Sequence, residues 1–280
     1  MSENVEEKLD QFFTKKKVAE YLIEKIDFDQ YDIIIEPSAG KGDFFKSLPQ
    51  HKRIGVDVEP HARGLVKMDF LLSSELTPLI FCHPSMKNCE IKILTIGNPP
   101  FGKNSSIARK FFNRVASFSS TIAFILPRTF RKPSVQNYLN KNFHLIHDEL
   151  LELDSFYVFE ENKKRDYKVP TVFQMWEKKE FERENIPVFK TCEDFDFVSP
   201  SEGDFSLRRV GGAAGTIFDD CDREEPSHYF IKSKSGCSNV KNILNSIEWT
   251  KDGPKYDTIG YPSVSKNDLI KGYLEKRDHE

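Results

Sequence analysis

The sequence carries no sign of export or of membrane insertion. Its N-terminus, MSENVEEKLD, is acidic and has no apolar run, which argues against a signal peptide. No apolar segment approaches the roughly 18 residues that crossing a bilayer takes. Cysteine is sparse: Cys82, Cys89, Cys192, Cys221 and Cys237 are odd in number and show no CxxC pairing. A disulfide framework is therefore not expected, and reduced thiols in a cytoplasmic or nuclear compartment are. Cys82-His83 with Cys89 is the one cluster resembling metal ligands, and no fourth ligand follows at finger spacing, so no metal is expected. Charge of one sign is missing too. At a net charge of -3 the protein is no polycation, and any nucleic-acid surface must be a local basic patch. The candidates are the stretch from Arg128 to Lys132 and the pair Arg208-Arg209; Lys15-Lys16-Lys17 reads as a solvated helix face. There is no internal repeat and no low-complexity tract.

What is present is phenylalanine, 24 residues of it, which fits a large core and also suits a protein that stacks on flat ligands. The order of segments indicates an α/β fold. Phe12, Phe13, Val18, Leu22, Ile23 and Ile26 fall at helical spacing, with Thr14 placed to cap a helix from Lys15. YDIIIEPSAGKGDF reads as a buried strand, a Gly-containing turn and a helix start. RIGVDVEP is a second buried strand ending in acids, and a third short element ends at VKMDFL. IKILTIGNPPFG runs from a strand into a Pro-Pro turn, SSIARKFFNRVASF is an amphipathic helix, and STIAFILP is a further apolar strand. This rhythm predicts a Rossmann-like, doubly wound and mostly parallel sheet. HDELLELDSFYVF and VPTVFQMWEKK supply its last strands as an antiparallel closing edge. The pattern dissolves into charge at KKEFERENIP. Residues 1–182 are expected to form one domain and residues 183–280 a smaller one, with short alternating strands such as FSLRRV and HYFIKS.

Two strand ends and one turn carry candidate chemistry. In EPSAGKGDF, Gly40 and Gly42 let backbone pass close to a ligand at the carboxyl end of the strand, and Glu36 stands at that end as an acid would to meet a cation. Asp57 ends the second strand, where it can take both ribose hydroxyls of an adenosine moiety; a solvated strand end is the plain alternative. Asn98-Pro99-Pro100-Phe101 is the sharpest signal. Its prolines fix φ and remove donors, leaving the Asn98 side-chain oxygen and the Pro99 carbonyl as two exposed acceptors. Together these can hold both hydrogens of an NH2 group and aim its nitrogen lone pair, while Phe101 offers a face to a planar ring. Farther along, Arg208-Arg209 adjoin the Gly211-Gly212 turn. Such backbone can form an anion nest, and the arginines can take phosphate or a guanine edge; a β-turn with two surface arginines is the alternative.

These residues resemble the amino-methyltransferase family, whose adenine-N6 members carry an Asn-Pro-Pro-Tyr/Phe signature. The FFT run ending at Thr14, ahead of EPSAGKG, resembles the family's cofactor motif in the gamma order, and the likeness spans residue 11 to about 180. It implies S-adenosylmethionine as cofactor, with Phe13 and Thr14 at its methionine end. By the same resemblance Glu36, Ser38 and Gly40 line its centre, Asp57 holds the ribose, and Asp69 and Phe70 hold its adenine. Asn98, Pro99, Pro100 and Phe101 are implied as the catalytic segment. FILPRTF, which Arg128 interrupts, is similar to the strand-and-loop motif behind the target pocket. Phe159 stands where such enzymes present a second aromatic face to a flipped base, with Tyr157 nearly equivalent. The expected activity is adenine-N6 methylation of a nucleic acid, DNA ahead of RNA. Two other readings remain: the same chemistry on an amide such as a protein glutamine, and a non-catalytic nucleic-acid-binding partner subunit. The intact Asn-Pro-Pro-Phe argues against the last.

Overall fold

The computed structural model describes residues 12–73, 91–160 and 163–279. Cys82, His83 and Cys89 lie outside the described residues. The chain divides into two compact units: Met1–Phe130 with Asn137–Glu184, and Arg131–Gln136 with Asn185–Glu280. The segment 131–136 groups with the second unit. No helix among the described residues is long and apolar enough to cross a membrane.

The first unit opens with a two-residue strand β1 (Phe13–Thr14) and helix α1 (Lys16–Ile23). Strands β2 (Ile33–Glu36), β3 (Arg53–Asp57), β4 (Val66–Lys67) and β5 (Ile93–Gly97) follow, then helix α2 (Ser106–Val115) and strand β6 (Thr121–Pro127). After helix α3 (Pro133–Gln136), which belongs to the second unit, come β7 (Phe143–Leu150), β8 (Phe156–Glu160), β9 (Lys163–Tyr167) and β10 (Thr171–Lys178). Seven of these strands form one sheet in the order β4-β3-β2-β5-β6-β10-β7. The first five in that order run parallel, and β10 is antiparallel to both its neighbours. Burial explains the continuous apolar runs: every residue of β2, β5 and β6 is buried, as central strands covered on both faces require. In α2, Ala108, Phe111, Phe112 and Val115 turn inward at the spacing of one helical face. This is the doubly wound, mostly parallel, Rossmann-like sheet that the sequence rhythm predicts.

Two details differ from expectation. The antiparallel strand is not the closing edge: β10 lies between β6 and β7, a placement set by non-local pairing that local periodicity does not encode. Strand β8 leaves the main sheet altogether and joins β1 and β9 in a three-stranded sheet ordered β1-β8-β9. Thr14 pairs with Phe156 there, so it is a strand residue; α1 begins at Lys16, and Lys15 sits at its cap without a side-chain bond. The Thr14 cap is therefore corrected.

The second unit is a four-stranded antiparallel sheet packed with helices. Strands β11 (Phe195–Val198), β12 (Phe205–Arg208), β13 (Ile217–Phe218) and β14 (His228–Ser233) lie in the order β11-β14-β12-β13. Phe195, Phe205, Leu207 and Ile231 from the sheet meet Ile243 and Leu244 of α4 (Val240–Asn245) and Leu269, Ile270 and Tyr273 of α5 (Lys266–Arg277) in one buried cluster. A capping box starts α5: the Ser265 hydroxyl accepts from the Asp268 amide at 3.1 Å, and Asp268 accepts from the Ser265 amide at 3.0 Å.

Candidate active site

Strand β2 is flanked by β3 on one side and β5 on the other, so connections leave it in opposite directions. Open α/β sheets bind ligands in the crevice outside the carboxyl ends of strands at such a switch point. Here that crevice is a pocket of about 540 Å³, within the range usual for small-molecule sites. Its walls include Phe13, Thr14, Glu36, Ser38, Gly40, Asp57, Asp69, Phe70, Asn98, Pro99 and Pro100. These residues come from five separate stretches of sequence, and the sheet brings them to one place.

The floor is electrostatically unusual. Glu36 is 2 % exposed, and its Oε2 has no hydrogen-bond partner among the described residues. Burial pushes its carboxyl well above the usual carboxylate range; a backbone hydrogen bond from Phe45 opposes this, and the charges of Asp43 and Asp57 add to the rise. Gly97 makes room for this side chain. A Cβ there would stand 3.3 Å from Glu36 Cγ, at a φ of +151° that favours glycine. Across the β2 and β5 loops, the Ser38 hydroxyl donates to the Asn98 backbone carbonyl at 3.3 Å. The Asn98 side-chain Oδ1 is itself buried and without a partner among the described residues. Buried polar atoms are almost always satisfied, and each orphan costs about 1–3 kcal/mol, so two orphans on one pocket call for an explanation.

The glycine turn is held from two sides. The Gly40 amide donates to Asp57 Oδ2 at 2.7 Å, and the Glu59 amide donates to Asp57 Oδ1 at 2.8 Å. Each carboxylate oxygen keeps a further lone pair for a ligand hydroxyl. Gly40 has a φ of +50°, and a Cβ there would lie 3.1 Å from the Phe13 ring, so the turn is pressed against β1. Asp69 Oδ1 accepts from the Leu71 and Leu72 amides. Phe70 is buried, its ring stacked on Phe111 with centroids 5.3 Å apart.

Several predicted residues are placed elsewhere. Phe101 is 4 % exposed and does not line the pocket; Phe12 lies edge-on against it at 4.8 Å and also contacts Phe156 and Tyr167. A ring can reach the Phe101 face only after Phe12 moves. Phe159 belongs to a different aromatic group, with Phe13, Tyr157 and Lys41, whose Nζ sits 3.4 Å over the Phe159 ring. Arg128 is half-buried at the end of β6, its amide donating to the Pro170 carbonyl. The rest of that basic stretch is committed to the second unit: Arg131 and Lys132 each approach a buried carboxylate, Asp257 and Asp268, at 3.9 Å.

The segment from Arg208 to Gly212 is braced in part by the protein itself. The Gly211 amide donates to the Pro262 carbonyl at 2.8 Å, the Gly212 carbonyl accepts from Lys255, and Arg208 Nε donates to the Val210 carbonyl at 3.1 Å. The Gly211 amide and Arg208 Nε are thus already bonded within the protein. Arg209 stays exposed, 5.3 Å from the Tyr229 ring.

The sequence pattern passed over Asp43 and Lys41, although both lie inside the EPSAGKGDF segment. Asp43 lines the pocket and accepts from the Tyr157 hydroxyl at 3.1 Å. Burial, and then Asp43, raise that hydroxyl's pKa above its ordinary value. A buried hydroxyl pair, Ser105 with Thr129 at 2.7 Å, ties the backbone just after Asn-Pro-Pro-Phe to the end of β6. No group of three or more metal-ligating side chains occurs among the described residues.

No protein-family profile matches the sequence, and no curated protein matches it. Solved structures are similar at low identity. One is a Pyrococcus horikoshii protein provisionally assigned as an RNA methyltransferase, 15% identical, with a TM-score of 0.40 over 63% of this chain and 90% of that one. The 23S rRNA methyltransferase ErmE is 14% identical, with a TM-score of 0.39 over 61% and 71% of the two chains. The modification subunit of a type I restriction enzyme assigned in Vibrio vulnificus is 12% identical, with a TM-score of 0.41 over 95% of this chain and 61% of that one. At such TM-scores the functional reading rests on the pocket itself.

Proposed function

We propose that the chain is an S-adenosylmethionine-dependent methyltransferase acting on an exocyclic amino nitrogen, with adenine N6 in a nucleic acid as its acceptor. The observation that carries this is the pair of orphaned buried acceptors, Glu36 Oε2 and Asn98 Oδ1, on one pocket at the switch point of the sheet. S-Adenosylmethionine, when bound, supplies a methyl group on a positively charged sulfur. The residues present fit such a ligand: the buried Glu36, raised further by Asp43 and Asp57, is relieved by a cation. Asp57 holds ribose hydroxyls with its remaining lone pairs, Asp69 and Phe70 meet a purine, and Phe13 and Thr14 close the opposite end.

Asn98 has a separate task. Its Oδ1 and the Pro99 carbonyl accept the two hydrogens of an amino group, drawing the nitrogen lone pair out of ring conjugation and directing it into the pocket. The prolines hold both acceptors in place before the acceptor ring arrives, so little reorganisation is needed at the reacting step. Among nucleic acids DNA is favoured over RNA, on the gamma order of the motifs and the small C-terminal unit. A methyl-transfer assay with radiolabelled S-adenosylmethionine against DNA, RNA and a glutamine-bearing peptide pool tests the proposal. Label on the adenine of one nucleic acid supports it. Label on the peptides moves the same chemistry to an amide, and label on none overturns it.

A further inference from the structure

Nothing described so far grips the backbone around a target base, and the basic residues singled out in the sequence are largely engaged by the protein. The three-stranded sheet offers another surface. All five residues of β9 are exposed, and Lys163, Lys164 and Arg165 are followed closely by the exposed Lys168. Asp166, the one acid of the strand, is paired with Lys15 at 2.7 Å. Phe159, 43 % exposed, shares a face with Lys164, whereas Tyr167 lies on the opposite face with Lys163 and Arg165 and stacks on Phe12.

Register places this surface beside the pocket. Lys164 is the cross-strand partner of Phe159, and Asp166 that of Tyr157, so these four side chains share a face of the β8–β9 hairpin. Phe13, which lines the pocket, pairs with Tyr157. Tyr157 in turn donates to Asp43 on the pocket wall. Lys41 stands over Phe159, and Lys164 stands 3.8 Å over the Tyr157 ring. Cations interleaved with aromatic faces are what a flexible nucleic-acid strand meets on its binding proteins: charge for the phosphates, rings for the bases. We infer that the β8–β9 hairpin, through Lys164 and the neighbouring Lys168 with Phe159, is the surface that holds the sugar-phosphate backbone of a single-stranded or locally opened nucleic acid at the pocket mouth. This rests on the nucleic-acid reading above.

Lysines also blunt exposed sheet edges, and β9 is such an edge, so the experiment must separate the two roles. The full-length double variant Lys164→Gln, Lys168→Gln is compared with wild type and with the corresponding double Lys→Arg variant. Fluorescence anisotropy with labelled single-stranded DNA and RNA oligonucleotides is read across a salt series, and calorimetry reads S-adenosylmethionine binding. The Gln variant binds oligonucleotide about tenfold or more weakly at low salt, and its log–log salt slope is shallower by about 1.4, near 0.7 per lost single-strand phosphate contact. The Arg variant keeps both values, and cofactor affinity is the same in all three proteins. A Gln variant that binds as wild type at every salt concentration, or that differs only in self-association, overturns the hairpin assignment and leaves the nucleic-acid reading standing. Wild type that binds no oligonucleotide overturns both. Oligonucleotide binding without any S-adenosylmethionine binding leaves the hairpin in place and removes the methyltransferase reading.

Discussion

The turn after β2 and the turn after β12 are both glycine-rich exits from a buried strand, yet their polar groups meet different fates. Around Gly211 the amide, the neighbouring carbonyl and Arg208 Nε all find protein partners. Around Gly40 the backbone is equally well braced by Asp57, but Glu36 Oε2 and Asn98 Oδ1 beside it are buried with nothing to bond among the described residues. A motif of glycines and charges therefore says little alone. What separates a binding turn from a structural one is whether satisfying its polar groups requires something from outside.

The comparison can be broken at Asn98 most severely. Asn98→Ala should leave S-adenosylmethionine affinity nearly unchanged and lower kcat by at least about 100-fold, the scale for losing a preorganised polar group at a reacting centre. Single-turnover kinetics beside calorimetry checks it, and normal turnover would make the Pro-Pro turn structural. Asp57→Ala should weaken cofactor binding by about 1.5–3 kcal/mol, the range for hydrogen bonds to a charged group. A thermal melt run alongside shows whether the Gly40 and Glu59 amides, which also bond to Asp57, have lost their brace.

Glu36 sharpens the comparison through pH. Because burial raises its pKa above the ordinary 4.5, the free protein holds that proton into a higher pH range than an unfolded chain does. Its contribution to stability is thus full below the unfolded value and is lost as pH rises through the folded one. A cationic ligand favours the ionised form, so binding releases a proton and affinity climbs with pH until Glu36 has ionised in the free protein. Calorimetry in buffers of different ionisation enthalpy should detect that proton, and Glu36→Gln should abolish the release. An identical proton count in wild type and variant would remove Glu36 from the cation's surroundings.

The smallest effect belongs to the other turn. Arg208→Ala with Arg209→Ala should cost the second unit about 1 kcal/mol through the lost bond to Val210, and change oligonucleotide affinity far less than the hairpin lysines do. An equal or larger loss of binding, with a shallower salt slope, would place a phosphate grip there.

Local pattern carried much of this. Runs such as Ile33–Ile35 and Thr121–Pro127 show buried parallel strands because both faces are covered, and the acid, glycine and proline positions of the pocket sit at strand ends that such runs mark. What the sequence hid was non-local. Nothing in VPTVFQMW says that β10 inserts between β6 and β7, and a Thr ahead of three lysines looks like a helix cap until its pairing with Phe156 is known. KKRDY looks like a charged loop, and only its register against β8 sets Lys164 beside Phe159. The burial of Phe101 under Phe12 depends on two segments far apart in the chain. By contrast, Asp43 is local to the pattern, one residue past Gly42 at the same strand end.

Nucleoside mass spectrometry of DNA and RNA from cells expressing the wild-type chain or Asn98→Ala tests the central claim most directly. N6-methyladenine should accumulate in one of the two nucleic acids with wild type and stay at background with the variant. No methylated nucleoside above background with a folded wild-type protein, or the same level with both, would contradict it.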